Sequence, residues 1–278
     1  MLIHWNFDPV LVHLGPIAVR WYGLLFVGGF FVGQLLLARF FRREGVPEKN
    51  ADSLLIYALV GAVVGARIVH CLFYEPDYYL SHPLAILRIW EGGLASHGGV
   101  IGVLVGLWIA ARRLQPPMPF LWLLDRVAIP SALAAVSIRC ANFLNSEIVG
   151  NPTDGHWGVV FEAVDALPRH PAQLYEAFGY LCVFGVLMAI YRRFGARTPR
   201  GLLLGWMLVL IFGVRIVVEF FKTPQASYEA GQMFTVGQYL SVPFVLVGVA
   251  LLIRAWRLGP AVAIADAGAE ARAETPAD

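Results

Sequence analysis

Apolar residues gather along the chain into seven runs, at about 18–40, 52–73, 98–114, 119–138, 172–191, 201–221 and 236–256. Each is close to the roughly 20 residues a helix needs to cross the hydrocarbon core of a bilayer. The pattern predicts an all-α, polytopic integral membrane bundle of about seven helices. Between the fourth and fifth runs, the stretch 146–171 is rich in turn formers (Asn-Pro-Thr-Asp-Gly-His from Asn151) and is the one interruption long enough to fold as a small extracytoplasmic cap. Residues 1–259 are expected to form a single transmembrane domain. The tail 260–278, Ala-rich with scattered charges and no aromatic residue, is expected to be disordered.

Basic residues orient these runs. Arg39, Arg42, Arg43 and Lys49 follow the first, Arg112 and Arg113 the third, Arg192, Arg193, Arg197 and Arg200 the fifth, and Arg254 and Arg257 the seventh. All four groups fall on one side. The positive-inside rule places that side and the C terminus in the cytoplasm, and the N terminus outside with segments 74–97, 139–171 and 222–235. Residues 1–19 hold no Lys or Arg, so no cleavable signal peptide is read and the first run is expected to stay. Trp21, Trp90, Trp122 and Trp256, near the ends of runs, are expected to anchor at the membrane interface.

Composition adds exclusions. With 58% hydrophobic and 14% charged residues and a mean hydropathy of +0.66, the chain is no ordinary soluble domain. A net charge of +2 gives no footprint for nucleic acid. Cys71, Cys140 and Cys182 lack C-x-x-C spacing and read as small packing residues. No metal and no cofactor is expected.

Against this background, polar groups at membrane depth stand out, because each costs several kcal/mol, on the order of 3, unless it is paired or meets a polar ligand. Ile138 to Gly150 carries Arg139, Asn142, Asn145 and Glu147. Arg67 follows Gly61, Gly65 and Ala66 near the outer end of its run; it either snorkels to the interface or meets substrate. His97 stands at the first turn of the third run, followed by Gly98 and Gly99, where a backbone or a ligand can come close; capping and catalysis are both open to it. Arg215 and Glu219 share a helix face at i and i+4, the spacing of an ion pair that leaves donors for a phosphate. Arg169-His170-Pro171-Ala172-Gln173-Leu174-Tyr175-Glu176 opens the fifth run, in part as a helix start. Tyr22 is either an interfacial tyrosine or a ligand contact.

These stretches in this order resemble the prolipoprotein diacylglyceryl transferase family over about Tyr22 to Gly237. Arg-x-x-Asn-Phe-x-Asn-x-Glu-x-x-Gly at Arg139, Asn142, Phe143, Asn145, Glu147 and Gly150 carries most of the resemblance. Gly-Ala-Arg-Ile ending at Ile68, His-Gly-Gly from His97, the stretch from Arg169, and Arg-x-x-x-Glu-Phe-Phe from Arg215 complete it. Two positions depart from the family pattern: Ile138 replaces a glycine and Ile211 a tyrosine.

The resemblance implies transfer of a diacylglyceryl group from phosphatidylglycerol to the lipobox cysteine of a preprolipoprotein signal peptide, in the bacterial cytoplasmic membrane, with release of glycerol phosphate. His97 is then expected to act as general base and Arg139 and Arg215 to bind the phosphate. Glu219 would orient Arg215, and Asn142, Asn145 and Glu147 would shape the headgroup pocket. Tyr22, Arg67, Gly98, Gly99, Gly150, Arg169, Gln173 and Tyr175 are expected around the same substrate. Apart from the resemblance, a transporter or scramblase-like path for an anionic lipid or solute also fits these residue types. No Gly-x-Ser-x-Gly, His-Glu-x-x-His or P-loop motif favours another membrane enzyme.

Overall fold

A computed structural model describes residues 1–223 and 234–264. The end of the tail expected to be disordered, from residue 265, and most of segment 222–235 lie outside the described residues. Helices stand on all seven apolar runs: α1 (Trp21–Arg43), α2 (Lys49–Phe73), α4 (Ser96–Arg113), α5 (Phe120–Leu144), α6 (Ala172–Phe194), α7 (Leu202–Glu219) and α8 (Val236–Leu258), with a short α3 (Pro76–Ser81) between α2 and α4. Six of them are long and apolar enough to cross a membrane. The remaining one, α4, has 18 residues and begins with Ser96 and His97 and ends with Arg112 and Arg113, which leaves a shorter apolar stretch between. This is a polytopic helical membrane protein.

Local chemistry sets the helix ends. Pro116 and Pro117 follow α4, and Pro119 precedes α5, each lacking the N–H that a helix interior requires. Thr235 caps α8 in a capping box: its hydroxyl accepts from Gln238 N at 3.3 Å and its own N–H donates to Gln238 Oε1 at 3.0 Å. α5 runs six residues past the expected boundary at 138, so Arg139 and Asn142 are helical residues rather than part of an outer loop.

The chain divides into two compact units. The first comprises Met1–Leu36 and Leu124–Ala261 and holds all the strands. β1 (Leu2–Trp5) pairs in parallel with β4 (Gly158–Phe161), which pairs antiparallel with β5 (Pro168–Arg169); β2 (Val10–Leu14) and β3 (Ile17–Arg20) form a separate hairpin. The small sheet thus draws one strand from the chain start as well as from the expected cap, and Trp5 packs on Phe143 at the end of α5 at 4.5 Å between ring centroids. Below it, α7 and α8 pack together with Phe212 stacked on Phe244 at 4.3 Å. Asp125 of α5 accepts from Gly201 N (2.7 Å) and Leu204 N (2.9 Å), satisfying open N–H groups where α7 begins.

The second unit comprises Leu37–Leu123 and the chain from Val262, and its frame is the close pair α2 and α4. A Cβ at Gly65 would lie 2.3 Å from Gly98 O, and one at Gly102 would lie 1.9 Å from Gly61 O. Only hydrogen fits there. Without a water-driven force between helices in lipid, such backbone approach supplies the packing. Gly98 is thus a glycine of the helix contact, while a Cβ at Gly99 would meet only ordinary neighbours, Ala62 O at 3.7 Å and Ala66 Cβ at 3.8 Å. Trp122 also differs from its expectation. It is fully buried, stacks on Phe41 and donates to Glu44 Oε2 at 3.2 Å, so it is a core residue and not an interfacial anchor, unlike Trp90 and Trp256, which are 76% and 80% exposed.

Replacing Gly102 with alanine is expected to cost about 1–3 kcal/mol, because the added methyl has no space that side-chain movement can open. Gly28→Ala, where a Cβ meets nothing within 4 Å, is the control. Thermal unfolding of the detergent-solubilised protein should show a lowered midpoint for the first variant and none for the second.

Candidate functional site

The site is built where α5 ends. Arg139 and Asn142 lie on the last turns of that helix, and the chain then turns back through Ser146 and Ile148, both held at positive φ (53° and 55°). Non-glycine residues adopt that conformation only where their surroundings fix it. Here the fixing contacts are visible: Glu147 N donates to Asn142 O at 2.9 Å, Asn142 Nδ2 donates to Glu147 Oε2 and Asn145 Nδ2 to Glu147 Oε1, both at 3.1 Å. Arg139 Nη1 donates to Asn142 Oδ1 at 3.3 Å. The polar residues of this stretch thus form one connected net.

The net continues into α6. Arg139 Nε lies 2.9 Å from Glu176 Oε2, close enough for an ion pair although this oxygen receives no aligned hydrogen bond. Glu176 is 0% exposed. Its other oxygen accepts from Lys222 Nζ at 2.9 Å and from the Tyr180 hydroxyl at 3.2 Å, and Lys222 in turn donates to Glu219 Oε2 at 3.1 Å. The expected Arg215–Glu219 ion pair is absent among the described residues; Lys222, three residues on in the chain, takes the carboxylate instead. Arg215 is half-buried on α7.

Beside the net, an open cleft of about 520 Å³ is lined by Ala18, Arg20, Tyr22, Gly23, Asn145 and Glu147. Tyr22 thus stands at the cleft, as a ligand contact would, with its ring stacked towards Phe26 at 6.4 Å. Sequence reasoning passed over Arg20, one residue before the first apolar helix. It also passed over the partnership of Glu176 and Lys222, although both lie inside or next to the motifs. The signal available for Glu176 was a carboxylate within an apolar run, which demands a counter-charge.

Several of the expected substrate contacts also make contacts within the fold. Arg169 donates to both carboxylate oxygens of Asp165, to Gly150 O at 3.0 Å and to Thr223 Oγ1 at 3.2 Å. It ties the strand β5 to the segments around residues 150 and 223. Gly150 sits where those backbones cross: a Cβ would lie 2.4 Å from His170 O and 2.7 Å from Phe221 O. Gln173 donates to Glu147 O, and Tyr175 packs against Phe221 with its hydroxyl 3.2 Å from His170 Nδ1.

Arg67 and His97 belong to the second unit. Arg67 is 3% exposed and neither snorkels nor offers a free fork: it donates to Ala85 O, Ile86 O, Gly92 O and Gly93 O and lies over the Tyr79 ring at 5.0 Å. It satisfies carbonyls of an irregular segment that has few other donors. His97 is the opposite case. Exposed in the first turn of α4, it makes no hydrogen bond among the described residues and caps nothing, which leaves its imidazole available.

Chemically, the first unit presents a guanidinium held by two of its nitrogens, with Nη2 taking no partner among the described residues. Joined to it through Asn142 are a carboxylate, Glu147, and an amide, Asn145, which line a cleft together with Arg20. Such a set suits an anion carrying hydroxyl groups. Among the described residues no group of three His, Cys, Asp or Glu could hold a metal ion.

Comparison with known proteins gives a consistent picture. The family model for prolipoprotein diacylglyceryl transferase matches residues 9–254. The phosphatidylglycerol–prolipoprotein diacylglyceryl transferase of Tolumonas auensis is 56% identical over 252 residues, 91% of this chain and 97% of the relative. The protein of the same name from Chloroherpeton thalassium is 46% identical over 91% of this chain and 94% of its own length. That from Bacteroides fragilis is 40% identical over 89% and 93%.

The Asp165–Arg169 bridge gives a pH test of the cap. Hydrogen bonds from the Arg169 guanidinium hold the Asp165 carboxyl below its ordinary value. A carboxyl lowered in the folded state stabilises above its unfolded pKa of about 3.9, and that contribution is lost as pH falls through the folded value. Asp165→Asn should therefore lower the thermal midpoint at neutral pH, with the gap to the parent chain closing below about pH 4 as the parent protonates. A gap constant from pH 7 to pH 3 would show that the carboxylate charge is not what holds the cap.

Proposed function

The chain belongs to the prolipoprotein diacylglyceryl transferase family, and from that membership we propose that it transfers the diacylglyceryl group of phosphatidylglycerol to the lipobox cysteine thiol of preprolipoproteins. The observation that carries the reading is the net that joins Arg139 through Asn142 to Glu147, with Asn145 and Glu147 lining the open cleft and Arg139 Nη2 making no hydrogen bond among the described residues.

In the reaction, the cysteine sulfur attacks the glycerol carbon that bears the phosphate. The C–S bond forms, the C–O bond breaks with its electron pair passing to the phosphate oxygen, and glycerol phosphate leaves. Charge grows on that phosphate, and guanidiniums placed there lower the barrier. Arg139 and Arg215 take this role, and Asn145, Glu147 and Tyr22 meet the headgroup. His97 accepts the thiol proton, since the thiolate is the nucleophile. Its exposed, unpartnered imidazole supports that part.

The protein works as a multi-pass protein of the bacterial cytoplasmic membrane with its N terminus outside. Support comes from the basic residues in the last turns of α1, α4, α6 and α8, which mark the cytoplasmic ends.

The test is an assay in detergent with phosphatidylglycerol labelled in its acyl chains and a lipobox peptide. The parent chain should yield a labelled thioether. Arg139→Lys, which keeps the charge and loses the fork, is expected to fall about 10²-fold in rate, and His97→Ala about 10²- to 10⁴-fold. Near-normal transfer by His97→Ala would remove the histidine from proton transfer, and lipid movement without labelled peptide would sink the transferase reading in favour of transport.

A further inference from the structure

Glu176 is the most completely buried charge next to the site, and nothing in the reaction uses it directly. Its surroundings are specific. One oxygen faces Arg139 Nε at 2.9 Å, and the other faces Lys222 Nζ at 2.9 Å and the Tyr180 hydroxyl at 3.2 Å. Arg139 thereby has two contacts, an ion pair with Glu176 at Nε and a hydrogen bond from Nη1 to Asn142 Oδ1. In a planar guanidinium, contacts at two corners set the direction of the third. That corner, Nη2, makes no hydrogen bond among the described residues.

A buried carboxylate paired with Arg139 alone would also cancel its charge and weaken its hold on an anion. Lys222 shares that carboxylate and is also paired with Glu219 Oε2 at 3.1 Å. It brings a second positive charge to the same carboxylate and is itself 6% exposed, so solvent does not screen the exchange. Among the described residues no ion pair joins Glu219 to Arg215.

We propose that Glu176 is a positioning residue of the transferase: it orients Arg139 so that the free edge meets the departing phosphate, with Lys222 as the second cation that holds the carboxylate in place. This rests on the transferase reading. A misplacement of about 1 Å at such a group is enough to cost on the order of 10²-fold in rate.

The experiment compares the full-length parent chain, Glu176→Gln and the double variant Glu176→Gln with Lys222→Met in detergent. It records kcat, the KM for phosphatidylglycerol, the thermal midpoint, and the ¹⁵N–¹H resonance of Arg139 Nε, assigned by its loss in Arg139→Lys. E176Q should lower kcat about 10²-fold and move the Nε resonance out of its ion-paired position, with KM changed about threefold or less. Because Lys222→Met removes the ammonium that E176Q strands, the double variant should recover part of the thermal midpoint lost in E176Q and still turn over about 10²-fold more slowly. Turnover that returns together with stability in the double variant would reduce Glu176 to a structural role and overturn the proposal. So would an Nε resonance unmoved in E176Q. A parent chain that forms no thioether sinks the transferase reading itself, and the resonance still decides whether Glu176 sets Arg139.

Discussion

A carboxylate with no exposed surface, placed in the wall of an apolar helix bundle, has to be neutralised by partners that stay in place. Glu176 meets this with Arg139 from α5 and Lys222 from the segment after α7. Removing one partner from such a buried pair costs about 3–5 kcal/mol, a large share of the stability of a typical domain. The constraint therefore fixes three elements at once. It places α5, α6 and the end of α7 around one point, and that point is next to the net of Asn142, Asn145 and Glu147. The site's geometry follows from a burial cost that only this arrangement offsets.

The arginines divide into two kinds once their donors are followed. Arg67 and Arg169 spend theirs on carbonyls and on Asp165, and each holds together an irregular stretch whose backbone groups would otherwise lack partners. Arg139 keeps an edge free, Arg20 lines the cleft, and Arg215 lacks the carboxylate expected for it. The residue type is the same in all five cases. What separates them is the number of acceptors already within reach, and for Arg67 that number is four.

The glycines show the same dependence on what lies opposite. Gly98, inside the His-Gly-Gly motif, faces Gly65 across a helix contact, and Gly150 marks a crossing of backbones. Both look like ligand contacts in a sequence, because a ligand and a neighbouring backbone make the same demand for space. His97, between Ser96 and Gly98, then stands out by contrast as a motif residue that makes no hydrogen bond among the described residues.

The seven helices were legible in the sequence because the transfer of an apolar run into lipid is a local property, summed over about 20 consecutive residues. The order of the motifs carried the family for a similar reason, since each motif lies within a dozen residues. The small sheet was not legible: β1 and β4 are separated by some 150 residues, and neither is longer than four. Nor was the partner of Glu219, which i and i+4 spacing assigned to Arg215 and the fold gave to Lys222. Lys222 lies 46 residues from Glu176. Residue types and spacing establish which groups need a partner at membrane depth, but which partner each one obtains is decided by distances through space, because ion pairs and hydrogen bonds act over a few ångströms between elements far apart in the chain.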